Sequence, residues 1–183
     1  MTADSIQFNE LTDPTPEIAE VLHRWENDPE LVPFIRPNRT KEELEETNLV
    51  TIATLRERLK HVRMYLIYRG DRLIGKVSYQ VDPDHLYKKE AGTAWIGIVI
   101  GDPEERGKGV GAKAMRYLEE QIAAEGLKRI ELGVFEFNKP AIALYRTMGY
   151  REIAHIEDFT YWQGRMWQDI RMEKYLDSSR GGK

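Results

Sequence analysis

The sequence predicts an α/β fold of the α+β kind: a mixed, largely antiparallel central sheet of six to seven strands, flanked by about four helices. Residues 94–137 read as the one β-α-β unit, and a strand, helix, strand passage demands a right-handed parallel crossover. Elsewhere the strand patterns are joined by links too short for a crossover, which favours antiparallel pairing. A chain of 183 residues fits one domain, expected over residues 1–176 with a polar tail at 177–183.

In chain order, residues 6–8 admit a short extra strand. Thr15 and Pro16 place a cap residue before Pro at the first helical position. Ile18, Val21, Leu22 and Trp25 then share a face until Asp28-Pro29 stops the helix. Thr40 and Glu43 have capping-box spacing, and Ile52, Leu55, Leu59 and Val62 continue at helical spacing, so a second amphipathic helix is expected ahead of the main strands. Residues 64–68 are rich in strand formers. After them Leu73, Gly75, Val77, Tyr79 and Val81 alternate with Ile74, Lys76, Ser78 and Gln80, which makes a hairpin. Its Arg69-Gly70-Asp71 triplet reads as the turn rather than as an adhesion signal. Residues 94–100 give the next strand.

From Gly109 the period becomes helical, with Ala114, Met115, Leu118 and Ile122 on one face, an Arg116/Glu120 pair on another, and Gly126 at the end. Ile130, Leu132 and Val134 alternate as a strand whose phase slips at Val134-Phe135, predicting a bulge. Asn138 opens a helix in which Ala141, Leu144, Tyr145 and Met148 share a face and Gly149 ends it. Residues 150–156 and 169–176 are the last strands.

Composition excludes several functions. Twenty-seven Lys+Arg against 31 Asp+Glu give a net charge of -4, which disfavours duplex nucleic acid as a partner. The longest apolar run, residues 94–100, is far short of the ~20 residues that span a bilayer, so no membrane is expected. Met1 to Ser5 lack a basic end and an apolar core, which leaves a cytoplasmic expectation. With no Cys, disulfides, thiolate metal sites and a covalent Cys intermediate are excluded together. His23, His61, His85 and His155 are scattered and predict no metal.

Arg106-Gly107-Lys108-Gly109-Val110-Gly111 lies between a strand and a helix. Glycines let the backbone approach a ligand, and the free N–H groups of the next helical turn suit a phosphate or pyrophosphate. No Ser or Thr follows Lys108 or Lys113, so a nucleotide-hydrolysing loop is unlike this one. Gly107-x-Gly109-x-x-Ala112 loosely fits a dinucleotide fingerprint, but Gly101 to Glu105 intervene after the strand, which makes NAD or FAD the weaker option.

With Arg106-x-x-Gly109-x-Gly111 and Asn138-x-x-Ala141-x-x-Leu144-Tyr145-x-x-x-Gly149-Tyr150 in this order, the chain resembles the GNAT superfamily of N-acetyltransferases from about Trp25 to about Glu152. Trp25-x-Asn27-Asp28-Pro29 and the run from Ile96 to Pro103 are most similar to its ribosomal-protein N-terminal, polyamine and aminoglycoside acetyltransferase branch. The resemblance implies a parallel pair of strands that splays apart, with acetyl-CoA as cosubstrate and no metal. Its pantetheine arm would pair with backbone at Val99, Ile100 and Gly101, and its pyrophosphate would sit on Arg106, Gly107, Lys108, Gly109, Val110 and Gly111. A backbone N–H near Val99 or Ile100 would stabilise the oxyanion. Tyr145 would hydrogen-bond the CoA sulfur and protonate the thiolate, although its helical face also suits core packing. Asn138 would contact the cosubstrate through its amide, cap its helix, or do both.

The acceptor implied is a small-molecule amine or a protein N-terminus. An amine of pKa about 10.4 is neutral in roughly one molecule per thousand or fewer at pH 7, so a base or a water chain is needed. Trp95 stands where the branch often has an acid. Glu131, Glu136, Glu157, Asp158 and His155 are candidates for a relay, though charged strand residues are usually solvated. Trp95, Tyr161, Trp162 and Trp167 suit either a cation–π pocket for the amine or packing in the core or a homodimer. Direct transfer in a ternary complex leads; a non-catalytic acyl-CoA-binding regulator and a dinucleotide-dependent oxidoreductase are the alternatives.

Overall fold

The computed structural model describes residues 5–177, so the tail from residue 178 and the first four residues lie outside the description. Strands β1 (Ile6–Glu10), β2 (Val62–Arg69), β3 (Arg72–Val81), β4 (Thr93–Ile100), β5 (Arg129–Phe135), β6 (Arg151–Trp162) and β7 (Arg165–Tyr175) form one sheet in the order β1-β2-β3-β4-β5-β7-β6. Every neighbouring pair is antiparallel except β4 and β5, the pair joined by the crossover. The short extra strand is a full edge strand, β1, so a strand precedes all the helices.

The helices are α1 (Pro16–Glu26), α2 (Val32–Ile35), α3 (Lys41–Glu45), α4 (Ile52–Arg58), α5 (Val110–Ala124) and α6 (Lys139–Thr147). Thr15 caps α1 as its sequence position suggests, its hydroxyl accepting from the Ile18 N–H. The second predicted helix is instead two. Thr40 caps α3, which stops at Glu45; Thr51 then caps α4 through reciprocal bonds with Thr54, and Val62 belongs to β2. The break has a tertiary cause, because Asn27 donates to the Asn48 carbonyl at 2.8 Å and accepts from the Asn48 N–H at 2.7 Å, tying the intervening segment to the end of α1.

The predicted bulge in β5 is absent, since β5 pairs with β7 from Arg129 to Phe135 without a register shift. The chain turns there, Asn138 N–H donating to the Phe135 carbonyl, and Phe137 leaves the sheet to pack on Phe34, Trp162 and Trp167. The last two strands run longer than their apolar patterns. Gln163 and Gly164 both have positive φ (49° and 79°), which matches the twist of a tight two-residue hairpin turn and lets pairing continue to the turn.

Helices α5 and α6 cover one face of the sheet, where Ala94, Ile96, Ala114, Met115, Leu118, Ile122, Ile130, Leu132 and Tyr145 share a core. Helices α1 and α4 cover part of the other around Leu22, Trp25, Leu55, Met64 and Leu66. Two apolar layers thus clamp the region where β4 and β5 meet and part.

Candidate active site

Strands β4 and β5 pair only at Thr93 with Arg129, Ala94 with Ile130 and Trp95 with Glu131. Beyond that rung β4 stays on β3 up to Ile100 while β5 stays on β7, so a wedge opens between them. Asp82 N–H donates to the Thr93 carbonyl, Gly101 N–H donates to the Ile74 carbonyl, and the register between these two bonds does not shift. Antiparallel neighbours exchange hydrogen bonds at alternate residues, so the odd-numbered residues of β4 bond β3, and Ile98 and Ile100 turn their backbone toward the wedge. This corrects the expected set Val99, Ile100 and Gly101: the backbone N–H groups of Val99 and Gly101 face β3, and Ile98 joins Ile100 at the opening. Gly101 is held for another reason. A Cβ there would lie 2.0 Å from the Trp25 ring, so α1 packs directly on the strand end.

The glycine loop follows. Gly107 and Gly109 have φ of 73° and 79°, a left-handed backbone that side chains disfavour, and open space surrounds both positions. Gly109 is the N-cap of α5 and offers no side-chain cap, and the first turn holds no acidic residue. The early N–H groups of a 15-residue helix are therefore left for an anion. Arg106 does not reach toward that turn; it donates to the Ile100 and Gly101 carbonyls at 3.0 and 3.1 Å, fastening the loop to the end of β4. Behind it, buried Glu105 accepts from Arg69 and Arg72, the residues flanking the β2–β3 turn. Val110 is buried, while Lys108 is exposed.

A Cβ at Gly111 would meet Leu144 at 3.3 Å, so the first turn of α5 touches α6 beside Tyr145. Tyr145 is buried, its ring edge-on to Tyr150, and its hydroxyl has no hydrogen-bond partner among the described residues. Burial pushes its pKa up to about 12. Asn138 occupies the N-cap of α6 without a side-chain cap bond, so its amide stays available.

The carboxylates expected to relay a proton are placed otherwise. Glu131 is fully buried, not solvated: it accepts from the Tyr87 and Lys88 N–H groups and from Arg129 and Arg171, under the loop joining β3 to β4. His155, Glu157 and Asp158 lie on β6, the sheet edge beyond β7. Glu136 accepts from the Gln168 N–H. The aromatics also separate. Trp162 and Trp167 cluster with Phe34 and Phe137, whereas Trp95 sits between His85, edge-on at 4.6 Å, and the Arg171 guanidinium at 4.8 Å. The chain's own cations thus meet Trp95 and, through Arg165, Trp167.

On the α1–α4 side of β4 a cavity of about 220 Å³ is lined by Arg58, Lys76, Ser78, Gln80, His85, Trp95 and Gly97, among others. The sequence reading did not find this set. Glu26 anchors its far end, bonded to Arg58 at 2.6 Å and Lys76 at 2.7 Å. Burial works to raise the Glu26 carboxyl, but hydrogen bonds and charge from Arg58 and Lys76 outweigh it and bring it down to about 2.

The folded value lies below the ordinary 4.5, so this carboxylate's contribution is present in full above 4.5 and is lost as pH falls toward 2. Lys76 is held below its ordinary value by burial, against the opposing charge and hydrogen bond of Glu26. Denaturant unfolding is expected to lose at most about 3 kcal/mol from this group between pH 6 and pH 2. Glu26→Gln should flatten that part of the profile; an unaltered slope in the variant shows that other groups set the acid sensitivity.

The model of the Acetyltransferase (GNAT) family matches residues 19–150. The spermine/spermidine N(1)-acetyltransferase of Bacillus subtilis (strain 168) is 34% identical over 87 residues, which are 47% of this chain and 57% of that protein; the chain spans little more than half the length of this relative. Among solved structures, the ribosomal-protein-alanine N-acetyltransferase of Brucella melitensis superposes with a TM-score of 0.73 at 18% identity, covering 93% of this chain and 99% of the other. The spermidine N-acetyltransferase of Vibrio cholerae, solved with CoA and spermine, gives 0.71 at 21% identity, covering 93% and 95%. Both structural likenesses are of fold. With the family model spanning most of the chain, across the parted strands, the glycine loop and α6, the protein belongs to the GNAT family of acetyltransferases.

Proposed function

We propose that the protein moves acetyl from acetyl-CoA to a primary amine, on a small molecule or a protein N-terminus, by direct attack in a ternary complex. The observation that carries this reading is the parting of β4 and β5 beside the uncapped start of α5, with a tyrosine hydroxyl on the adjoining helix that has no partner among the described residues. The residues fit the cosubstrate. The amides from Gly107 to Gly111 cradle the pyrophosphate with Lys108 adding charge, Arg106 holds the cradle to the strand, and the backbones of Ile98 and Ile100 pair with the pantetheine amides. Asn138 donates its free amide from the start of α6. When bound, acetyl-CoA supplies an activated acetyl thioester. With no Cys in these 183 residues, no thiol of the chain can take the acetyl group first, which favours direct transfer.

The amine must lose a proton before it attacks, and His85 is the group we assign to accept it. It lines the cavity with Trp95 and Gly97, and its ring makes no hydrogen bond to a described residue. The residue is exposed on one side; partial desolvation on the other, followed by the charge of Arg171, holds its pKa below 6.5, so the imidazole is neutral at pH 7 and able to take a proton. His85→Gln is expected to lower kcat/KM about tenfold or more and to remove the acid limb expected of the parent chain as pH falls through the His85 value, below 6.5. An unmoved profile takes His85 out of the role.

The reading as a whole is tested by calorimetric titration with acetyl-CoA, CoA and NAD, together with thiol release on polyamines, aminoglycosides and N-terminal peptides. Acetyl-CoA binding with thiol release on at least one amine is expected. Binding of NAD in place of acetyl-CoA, or binding of acetyl-CoA with no thiol release on any of these amines, counts against it.

A further inference from the structure

We infer that the amine accepted here carries an anionic group, such as a carboxylate, several bonds from the reacting nitrogen, bound by Lys76 and Arg58 at the far end of the cavity. This rests on the acetyl-transfer reading above and goes beyond it by naming the substrate's charge. The cavity runs from Gly97 and Trp95 on β4, across Lys76 and Ser78 on β3, to Arg58 at the end of α4. Lys76 stands one strand spacing from β4 and two residues along from the Ser78–Gly97 pair, with Arg58 beyond it on α4, which sets a second group apart from an amine at the wedge.

Charge decides which second group fits. Among the described residues no Asp or Glu lines the cavity, while the basic side chains of Lys76 and Arg58 do. Glu26 is the carboxylate bonded to both: Arg58 reaches it through both terminal nitrogens at 2.6 and 3.1 Å, and Lys76 at 2.7 Å. One carboxylate therefore serves two basic groups, Lys76 and Glu26 being only 12% and 10% exposed and Arg58 29%. Basic groups that outnumber their carboxylate in a partly buried site favour an added anion and disfavour a second cation. A ligand carboxylate restores the balance, and the ammonium and guanidinium still hold unused N–H donors for it. The aromatic surface that would otherwise hold a cationic tail is engaged, since Arg171 stacks on Trp95. A polyamine would bring a further positive charge to Lys76 and Arg58.

Matched amines that differ by one carboxylate provide the test: lysine against cadaverine, and ornithine against putrescine, each with acetyl-CoA in the thiol-release assay. The carboxylated member is expected to have the higher kcat/KM by at least about tenfold, the scale of a desolvated charge-assisted contact. In Lys76→Met that ratio should fall toward one, whereas Lys76→Arg keeps the charge and should keep the preference. Titration of the CoA-saturated protein with the same pairs reads the preference without turnover. A retained preference in titration with no thiol release overturns the transfer reading alone. Equal, reversed or absent affinity for the carboxylated amine overturns this inference, as does a preference that Lys76→Met leaves intact.

Discussion

Replacing Gly109 with valine is expected to weaken acetyl-CoA binding at least about a hundredfold while the chain still folds. Two effects act at this position and can be separated. The first is backbone strain: φ is 79°, and a side chain in the left-handed region costs about 1–2 kcal/mol. In a chain of 183 residues that lowers Tm by only a few degrees, roughly 2–4 °C per kcal/mol. The second is occlusion. Apart from its chain neighbours, nothing lies within 4 Å of a Cβ at Gly109, so the valine side chain has room in the fold and is placed beside the first-turn amides of α5. Gly126→Val, at φ 85° past the far end of α5 and also in open space, carries comparable strain outside the cradle and serves as the control. Calorimetry and thermal melts together give the answer: a Kd for acetyl-CoA within a few-fold of the parent in Gly109→Val removes the cradle from the proposal.

What the sequence made legible follows from how local each cause is. The Thr15 cap, the β2–β3 turn and the glycine-led start of α5 are set by residues a few positions apart, so pattern and propensity suffice. The break between α3 and α4 is set by Asn27, some twenty positions from its Asn48 partner, and no period in residues 40–62 announces it. Which β4 residues face the wedge depends on register, since one step exchanges the sides to which every backbone group points. The alternation from Val99 to Gly101 therefore became visible only with the bonds to β3.

Charge was the harder part. Arg129 and Glu131 on β5 stand opposite Tyr175 and Glu173 on β7, with Arg171 and Asp169 next along, and the β3–β4 loop covers them. A stripe of alternating sign at every second position of two paired strands was the available signal that these groups satisfy one another rather than face water. In β3, Lys76, Ser78 and Gln80 are likewise a polar stripe on an interior strand, which needs either a partner or a ligand. Glu26 partners Lys76 from α1, a contact no sequence period could supply.

Tyr145→Phe is expected to lower kcat by two to four orders of magnitude, the range typical of a positioned proton donor, while acetyl-CoA affinity and Tm stay close to the parent's. The substitution is clean because the hydroxyl has no partner among the described residues and the ring keeps its edge contact with Tyr150 at 5.9 Å, so no internal hydrogen bond is lost. Burial raises the phenol to about 12, so it is protonated at every working pH and acts only as a donor. Transfer to a thiolate near 8.5 is then uphill by about 3.5 units, ~5 kcal/mol, if the sulfur keeps its solution value. The same burial disfavours the thiolate and lifts its pKa as well, which narrows the gap. The hydroxyl is therefore most useful while charge is gathering on sulfur, and its loss should fall on kcat rather than on binding. A basic limb between pH 8 and 10 in the parent enzyme would have to belong to another group, because Tyr145 does not titrate there. If kcat in Tyr145→Phe matches the parent, the residue is a packing element of α6 and the proton reaches the sulfur by another route.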